Sequence, residues 1–176
     1  SEAEEAAREA KEAIDRLEEH NKKLDEDAKR AIEEARKHNK ELDERAKRAL
    51  EEIEKAARDN REDKEELKKK ADRALEEHRK AAKRNIDEAR RALDEHRKAS
   101  EDNAREAREA LKRVRRDLRD TDAARRIAEE VKKLEKKSED SHRKIAEDVK
   151  KAEEDSERSH RDIARRAEEV KKKADD

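Results

Sequence analysis

The sequence predicts an all-α fold: an elongated, antiparallel up-down-up three-helix bundle of straight, non-supercoiled helices. Three observations carry that expectation. Apolar side chains recur at steps of three and four along almost the whole chain, the spacing of one helix face. A unit of eighteen residues repeats, His20–Lys37 reading HNKKLDEDAKRAIEEARK and His38–Lys55 reading HNKELDERAKRALEEIEK. Two short interruptions, at 59–63 and 119–122, cut the chain into three nearly equal parts. Eighteen residues make about five whole turns at 3.6 residues per turn, so equivalent positions return to one face without the drift that supercoils a heptad helix.

The first helix is expected over about 2–59. Ser1 and Glu4 fit a capping box, in which the serine oxygen accepts from an orphan amide and Glu4 reaches back. The apolar stripe runs through Ala10, Ile14, Leu17, Leu24, Ala28, Ile32, Ala35, Leu42, Ala46, Leu50 and Ile53, and most other positions are charged. The polar pairs His20-Asn21 and His38-Asn39 sit in the stripe, not on the charged face. Asn60, inside the first interruption, is a residue that tolerates the left-handed conformation that ends a helix. Asp63 with Glu66 repeats the capping signature and opens a second helix over 64–119. Its stripe is Leu67, Ala71, Leu75, His78, Ala82, Asn85, Ala89, Leu93, His96, Ser100, Asn103, Ala107, Leu111, Val114 and Leu118. Asp120 or Thr121 caps a third helix over 122–175. There Ile127, Val131, Leu134, Ser138, His142, Ile145, Val149, Ala152, Ser156, His160, Ile163, Ala167 and Val170 share a face.

Short turns make sequential helices antiparallel, so residues 1–176 are expected to form a single domain of three helices, a rod about 85 Å long at 1.5 Å per residue. The apolar content is lean: of 176 residues, 21 are Leu, Ile or Val and 30 are Ala, with no aromatic residue and no Met, Gly, Pro or Cys. High charge with low hydrophobicity is a signature of disorder. Here the charged residues are strong helix formers and nothing within the segments breaks a helix, which favours the helical reading.

Composition also excludes function classes. Without Cys there is no disulfide framework, thiolate nucleophile or Cys-ligated zinc. No apolar run approaches the roughly 18 residues of a membrane span, and no targeting signal is legible, so location is unassigned beyond a soluble, recombinantly expressed chain. The 53 basic and 54 acidic side chains nearly cancel and intersperse, which argues against a nucleic-acid footprint. The Ala-rich faces lack the large side chains that insert into a membrane surface. No phosphate loop, triad or distinguishable carboxylate pair suggests an enzyme, a small-molecule substrate or a cofactor.

The six histidines are the chemistry-bearing feature. They form three pairs eighteen apart, all on the stripes. Folding the chain at its turns sets residue j of the second helix opposite about 121 − j on the first, and the second and third helices pair at a sum near 241. One level then gathers His20, Asn21, His96, Ser100, Asn103, Ser138 and His142. The other gathers His38, Asn39, His78, Asn85, Ser156 and His160. Three readings stay open for these levels. They form buried hydrogen-bond networks that set helix register, since imidazole donates and accepts and an unpaired buried polar group costs about 1–3 kcal/mol. They hold a metal through three imidazoles, although no carboxylate sits in the stripes to support it. Or some histidines face solvent at the stripe edge.

In its repeats, in units beginning HNKK, HNKE, HRKA, SHRK and SHRD, and in its restricted alphabet, the chain resembles de novo designed straight-helix bundles with buried histidine networks. The resemblance implies a structural scaffold with no natural biochemical activity. Its alternatives are a pH-responsive or self-assembling helical module, monomeric or associating through helix faces, and a bundle that binds a metal through three histidines.

Overall fold

A computed structural model describes residues 2–119 and 121–176 of the chain. It contains α1 (Glu2–Arg58), α2 (Lys64–Leu118) and α3 (Asp122–Asp175), and no strand among the described residues. The first two helices stop where a backbone residue turns left-handed. Asn60 has φ 53°, and the amides of Asn60 and Arg61 return to the carbonyls of Ala57 and Ala56 at 3.3 and 3.0 Å. This double return satisfies two orphan carbonyls at the end of α1. Arg119 has φ 47°, and its amide donates to the Arg115 carbonyl at 2.9 Å. At the start of α3 the Thr121 hydroxyl accepts from the Ala124 amide at 3.2 Å, an N-cap bond. The expected caps at Ser1 and Asp120 lie outside the described residues. Asp63 contributes its backbone carbonyl to the Leu67 amide at 3.0 Å, and no side-chain cap from it appears among the described hydrogen bonds.

The chain clusters into two compact units, one of residues 1–30 with 91–147 and the other of 31–90 with 148–176. Each takes one stretch from every helix. In the first, Ile14, Leu17, Leu111, Val114, Ile127, Val131 and Leu134 form the apolar centre with Ala10 and Ala107. In the second, Leu50, Ile53, Leu67, Ile163 and Val170 pack with Ala46, Ala71, Ala167 and Ala174. Alanines at the contact let the helices approach closely, which is how a chain without aromatics closes its core.

Helix directions follow from contacts inside each unit. Paired residues of α1 and α2 have numbers that add to 121, at Asp25–His96 in one unit and Asp43–His78 in the other, so these helices are antiparallel. Helices α1 and α3 run parallel. Their ion pairs keep a nearly fixed separation: Lys11–Glu130 is 119 apart in the first unit, and Arg166–Glu51 and Lys173–Glu54 are 115 and 119 apart in the second.

The buried arc of α2 is wider than the stripe read for it. Ile86 is buried, while Leu75 and Leu93 are half-buried. A helix that contacts two neighbours buries more than one row of side chains, and Ile86 lies on the second row.

Candidate functional site

The expected levels lie one in each unit. In the first unit, α2 supplies three buried polar side chains, His96 (3% exposed), Asn103 (5%) and Ser100 (7%). Asn103 donates through Nδ2 to Asn21 Oδ1 at 2.7 Å, and the same nitrogen stands 3.0 Å from His20 Nδ1. His96 does not join that group. Its Nε2 instead meets Asp25 Oδ1 at 2.7 Å, and Asp25 Oδ2 accepts from the Ser141 hydroxyl at 2.9 Å. The rings of His96 and His142 lie nearly parallel, 10° between planes and 5.7 Å between centroids. The Nδ1 atoms of both rings are buried without a hydrogen-bond partner. Ser100 is buried and Ser138 half-buried, and both line a groove with His142.

The second unit repeats the arrangement from the residues one repeat away. Asn85 donates through Nδ2 to Asn39 Oδ1 at 2.8 Å. His78, 1% exposed, places Nε2 2.7 Å from Asp43 Oδ1. Its Nδ1 is 3.1 Å from Nδ1 of His160, with ring centroids 5.3 Å apart and 12° between planes. An ionised carboxylate only accepts, so His78 carries its proton on Nε2 and presents a bare Nδ1. That atom accepts from the Nδ1–H of His160. The result is a carboxylate–imidazole–imidazole chain crossing all three helices, its outer ring half-buried beside a groove that Ser156 also lines.

Several expectations are corrected. His38 is exposed and enters none of the described hydrogen bonds, and His20 is exposed although Asn103 reaches its ring. Both occupy the rim of the α1 face, where the long rings reach water. The three histidines of a level therefore do not converge: two form a pair and the third stands apart. Each level also divides: the asparagines bond to one another, with His20 joining them in the first unit, while the α2 histidine bonds to an aspartate of α1. Ser100, Ser138 and Ser156 sit at the levels without entering the described hydrogen bonds. No carboxylate sits in the stripes themselves, but Asp25 and Asp43, each one residue past a stripe leucine, support His96 and His78 from beside them. Among the described residues, no group of three or more His, Asp or Glu side chains is arranged to hold a metal ion.

The residues that the stripes do not reveal, Asp25, Asp43 and Ser141, still leave a signal. The repeats share Leu-Asp shortly after each histidine start, and the register 121 − j sends His96 to 25 and His78 to 43. In the sequence these carboxylates merge with the solvated face because each follows a stripe leucine directly.

Burial holds the imidazoles of His142 and His160 below their ordinary value of 6.5. The facing rings of His96 and His78 act in the same direction, as do Arg97 and Arg79, against Glu101 and Glu76.

No family model matches the chain, and comparison with curated proteins finds no match. A solved structure described as a "Computationally designed three helix bundle" is similar, with a TM-score of 0.44 and 20% sequence identity, covering 99% of this chain and 83% of that one.

Proposed function

We propose that this chain is a designed structural scaffold, without enzymatic activity, whose two polar levels select one register of the three helices. The observation that carries the reading is the duplicated pairing. Asp25–His96 with Asn21–Asn103, and Asp43–His78 with Asn39–Asn85, bring complementary donors and acceptors together at matched heights in each unit. A shift of one helix by a turn would face these groups with Leu, Ile or Ala, leaving buried atoms unpaired at about 1–3 kcal/mol each. The apolar stripes alone, rich in alanine, discriminate poorly between such shifts. A restricted alphabet and repeats of fixed length further support a designed origin.

The test replaces Asn21, Asn39, Asn85 and Asn103 together by leucine. Swapping buried polar groups for apolar ones is often neutral or stabilising, by about 1–4 kcal/mol for ion pairs. The variant is expected to melt no lower than the parent, yet to give multiple or broadened backbone amide resonances where the parent gives one set. A variant with one sharp set and unchanged interhelical contacts overturns the register reading.

A second reading, an acid-responsive module, is favoured by the burial that holds the imidazoles of His142 and His160 below their ordinary value. It is compatible with the first, because a network that fixes register with neutral imidazoles loosens when they charge.

A further inference from the structure

We propose that His160 is a covalent modification site, its Nε2 a nucleophile that takes an acyl group from small activated donors such as anhydrides and aryl esters. The tautomer of this ring is set from the far end of the second unit's polar chain. The Asp43 carboxylate accepts from His78 Nε2–H at 2.7 Å, so His78 Nδ1 is bare and accepts from the Nδ1–H of His160 at 3.1 Å. With centroids 5.3 Å apart and 12° between planes, the two rings meet edge to edge through that one bond. A neutral imidazole carries a single proton, so the lone pair of His160 is left on Nε2. That atom makes none of the described hydrogen bonds and, unlike Nδ1 of His142, is not closed off from solvent. The ring lines a groove of about 380 Å³, inside the range of roughly 300–1,000 Å³ typical of small-molecule sites. Burial holds its imidazole below the ordinary 6.5, which keeps the lone pair free near neutral pH. A nucleophile whose proton passes to an adjacent base, itself oriented by a third group, is an activated one.

The step is an acyl transfer. The Nε2 lone pair forms a bond to the carbonyl carbon, the bond from that carbon to the leaving oxygen breaks, and the leaving group departs as an anion with the electron pair. The acylated ring, cationic at first, gives its Nδ1 proton to His78 Nδ1 and becomes a neutral N-acylimidazole. His78, now an imidazolium, still donates through Nε2 to Asp43, whose charge offsets it. Asp43 and His78 are positioning residues, since they act on the acyl donor only through His160. One acyl group is taken per chain, so the reaction asks no turnover of the scaffold. The first unit supplies the comparison. His142 is half-buried like His160 and lies beside His96, which Asp25 backs. There, however, Nδ1 of both rings lacks a hydrogen-bond partner, so no base stands ready for the proton of His142.

The probe is diethyl pyrocarbonate at about pH 7.5, where lysines stay charged, with the rate at each histidine read by peptide mass spectrometry. Its leaving group is ethyl carbonate, which takes up a proton and falls apart to ethanol and carbon dioxide. His160 is expected to acylate about tenfold faster than His142, the scale on which a supporting partner acts. Long-range 1H–15N spectra of the untreated protein should show the His160 proton on Nδ1. Asp43→Asn keeps an acceptor for His78 but removes the charge, and should lower His160 to the rate of His142 while His142 and the exposed His38 keep theirs. Circular dichroism follows the helicity of the variant, and His78→Gln takes its place if it unfolds. The spectra and rates of the parent protein need no variant. A proton on Nε2 of His160 or equal rates at His160 and His142 in the parent overturns the proposal. So does a folded variant in which His160 keeps its lead, or one in which all three rates rise together, the mark of a merely structural Asp43.

Discussion

His78 is nearly inaccessible to water, and its Nε2–H has Asp43 as the partner that satisfies it. Asp43→Ala would therefore leave a buried donor unpaired rather than merely delete an acceptor. Its expected cost is about 1–3 kcal/mol, the range for an orphaned buried polar group. Asp27→Ala removes a carboxylate of the same type that pairs with Arg30 at 3.6 Å on the exposed face. That change is expected to stay within about 0.5 kcal/mol. Urea denaturation of both variants checks the contrast, and equal effects would mean that the His78–Asp43 bond holds nothing in place. At this scale the sequence discloses only part of the site. Histidine and asparagine stand out because a polar residue in an apolar stripe demands a partner. Asp25 and Asp43 do not, because one carboxylate among many carries no mark of its depth until a register is laid over it. Ser141 is hidden likewise, one residue before a histidine that the stripe already accounts for.

At the scale of the helix the informative positions are the ends. Arg119 holds φ 47° although an L-residue with a side chain pays roughly 1–2 kcal/mol for that conformation. Arg119→Gly removes the steric cost and adds some unfolded-state entropy, so the net expectation is a gain of about 0.5–1 kcal/mol. Asn60→Gly, at φ 53°, should change stability by only a few tenths of a kcal/mol, since asparagine already tolerates the region. Thr121→Ala deletes the bond to the Ala124 amide, at an expected cost of about 1 kcal/mol. Thermal melts of the three variants should rank Arg119→Gly above the parent and Thr121→Ala below it. A lower melting point for Arg119→Gly would mean that its side chain contributes more than its backbone costs. Asn60 is legible in the sequence because its type matches its conformation. Arg119 is not, since arginine has no preference for a left-handed position and only the length of the helix places it there. The helix spans themselves are legible to within a residue. Long uninterrupted stripes fix the elements, whereas Ile86 shows that a stripe does not fix the width of the buried face.

Across the whole molecule, charge sets how stability varies with pH. The many ion pairs on exposed side chains are each worth about 0–1 kcal/mol and are screened by salt, so they tune the balance more than they hold the fold. The carboxyls of Glu54, Glu76 and Asp94 lie below their ordinary values through the hydrogen bonds of Lys173, Arg79 and Arg97. A depressed carboxyl contributes stability that is complete above its unfolded value and is lost as pH falls through the folded one, here below the ordinary 4.5 of Glu or 3.8 of Asp. His142 and His160 act in a higher window. Their folded values lie below 6.5, so the native state binds fewer protons than the unfolded chain once pH drops past 6.5. Stability from the neutral rings is therefore present above pH 6.5 and declines as acid is added. His142 faces His96, Arg97 and Glu101, with Asp25 behind His96, and His160 faces His78, Arg79 and Glu76, with Asp43 behind His78. The denaturation midpoint of the parent is expected to hold level above about pH 6.5 and to fall steadily from there to about pH 5. The double variant His142→Asn, His160→Asn should fall less steeply than the parent over that interval and should join its decline below about pH 4.5, where carboxyls dominate. A parent that is flat over the same interval, or a double variant that declines as steeply, would remove these two imidazoles as the source of acid sensitivity.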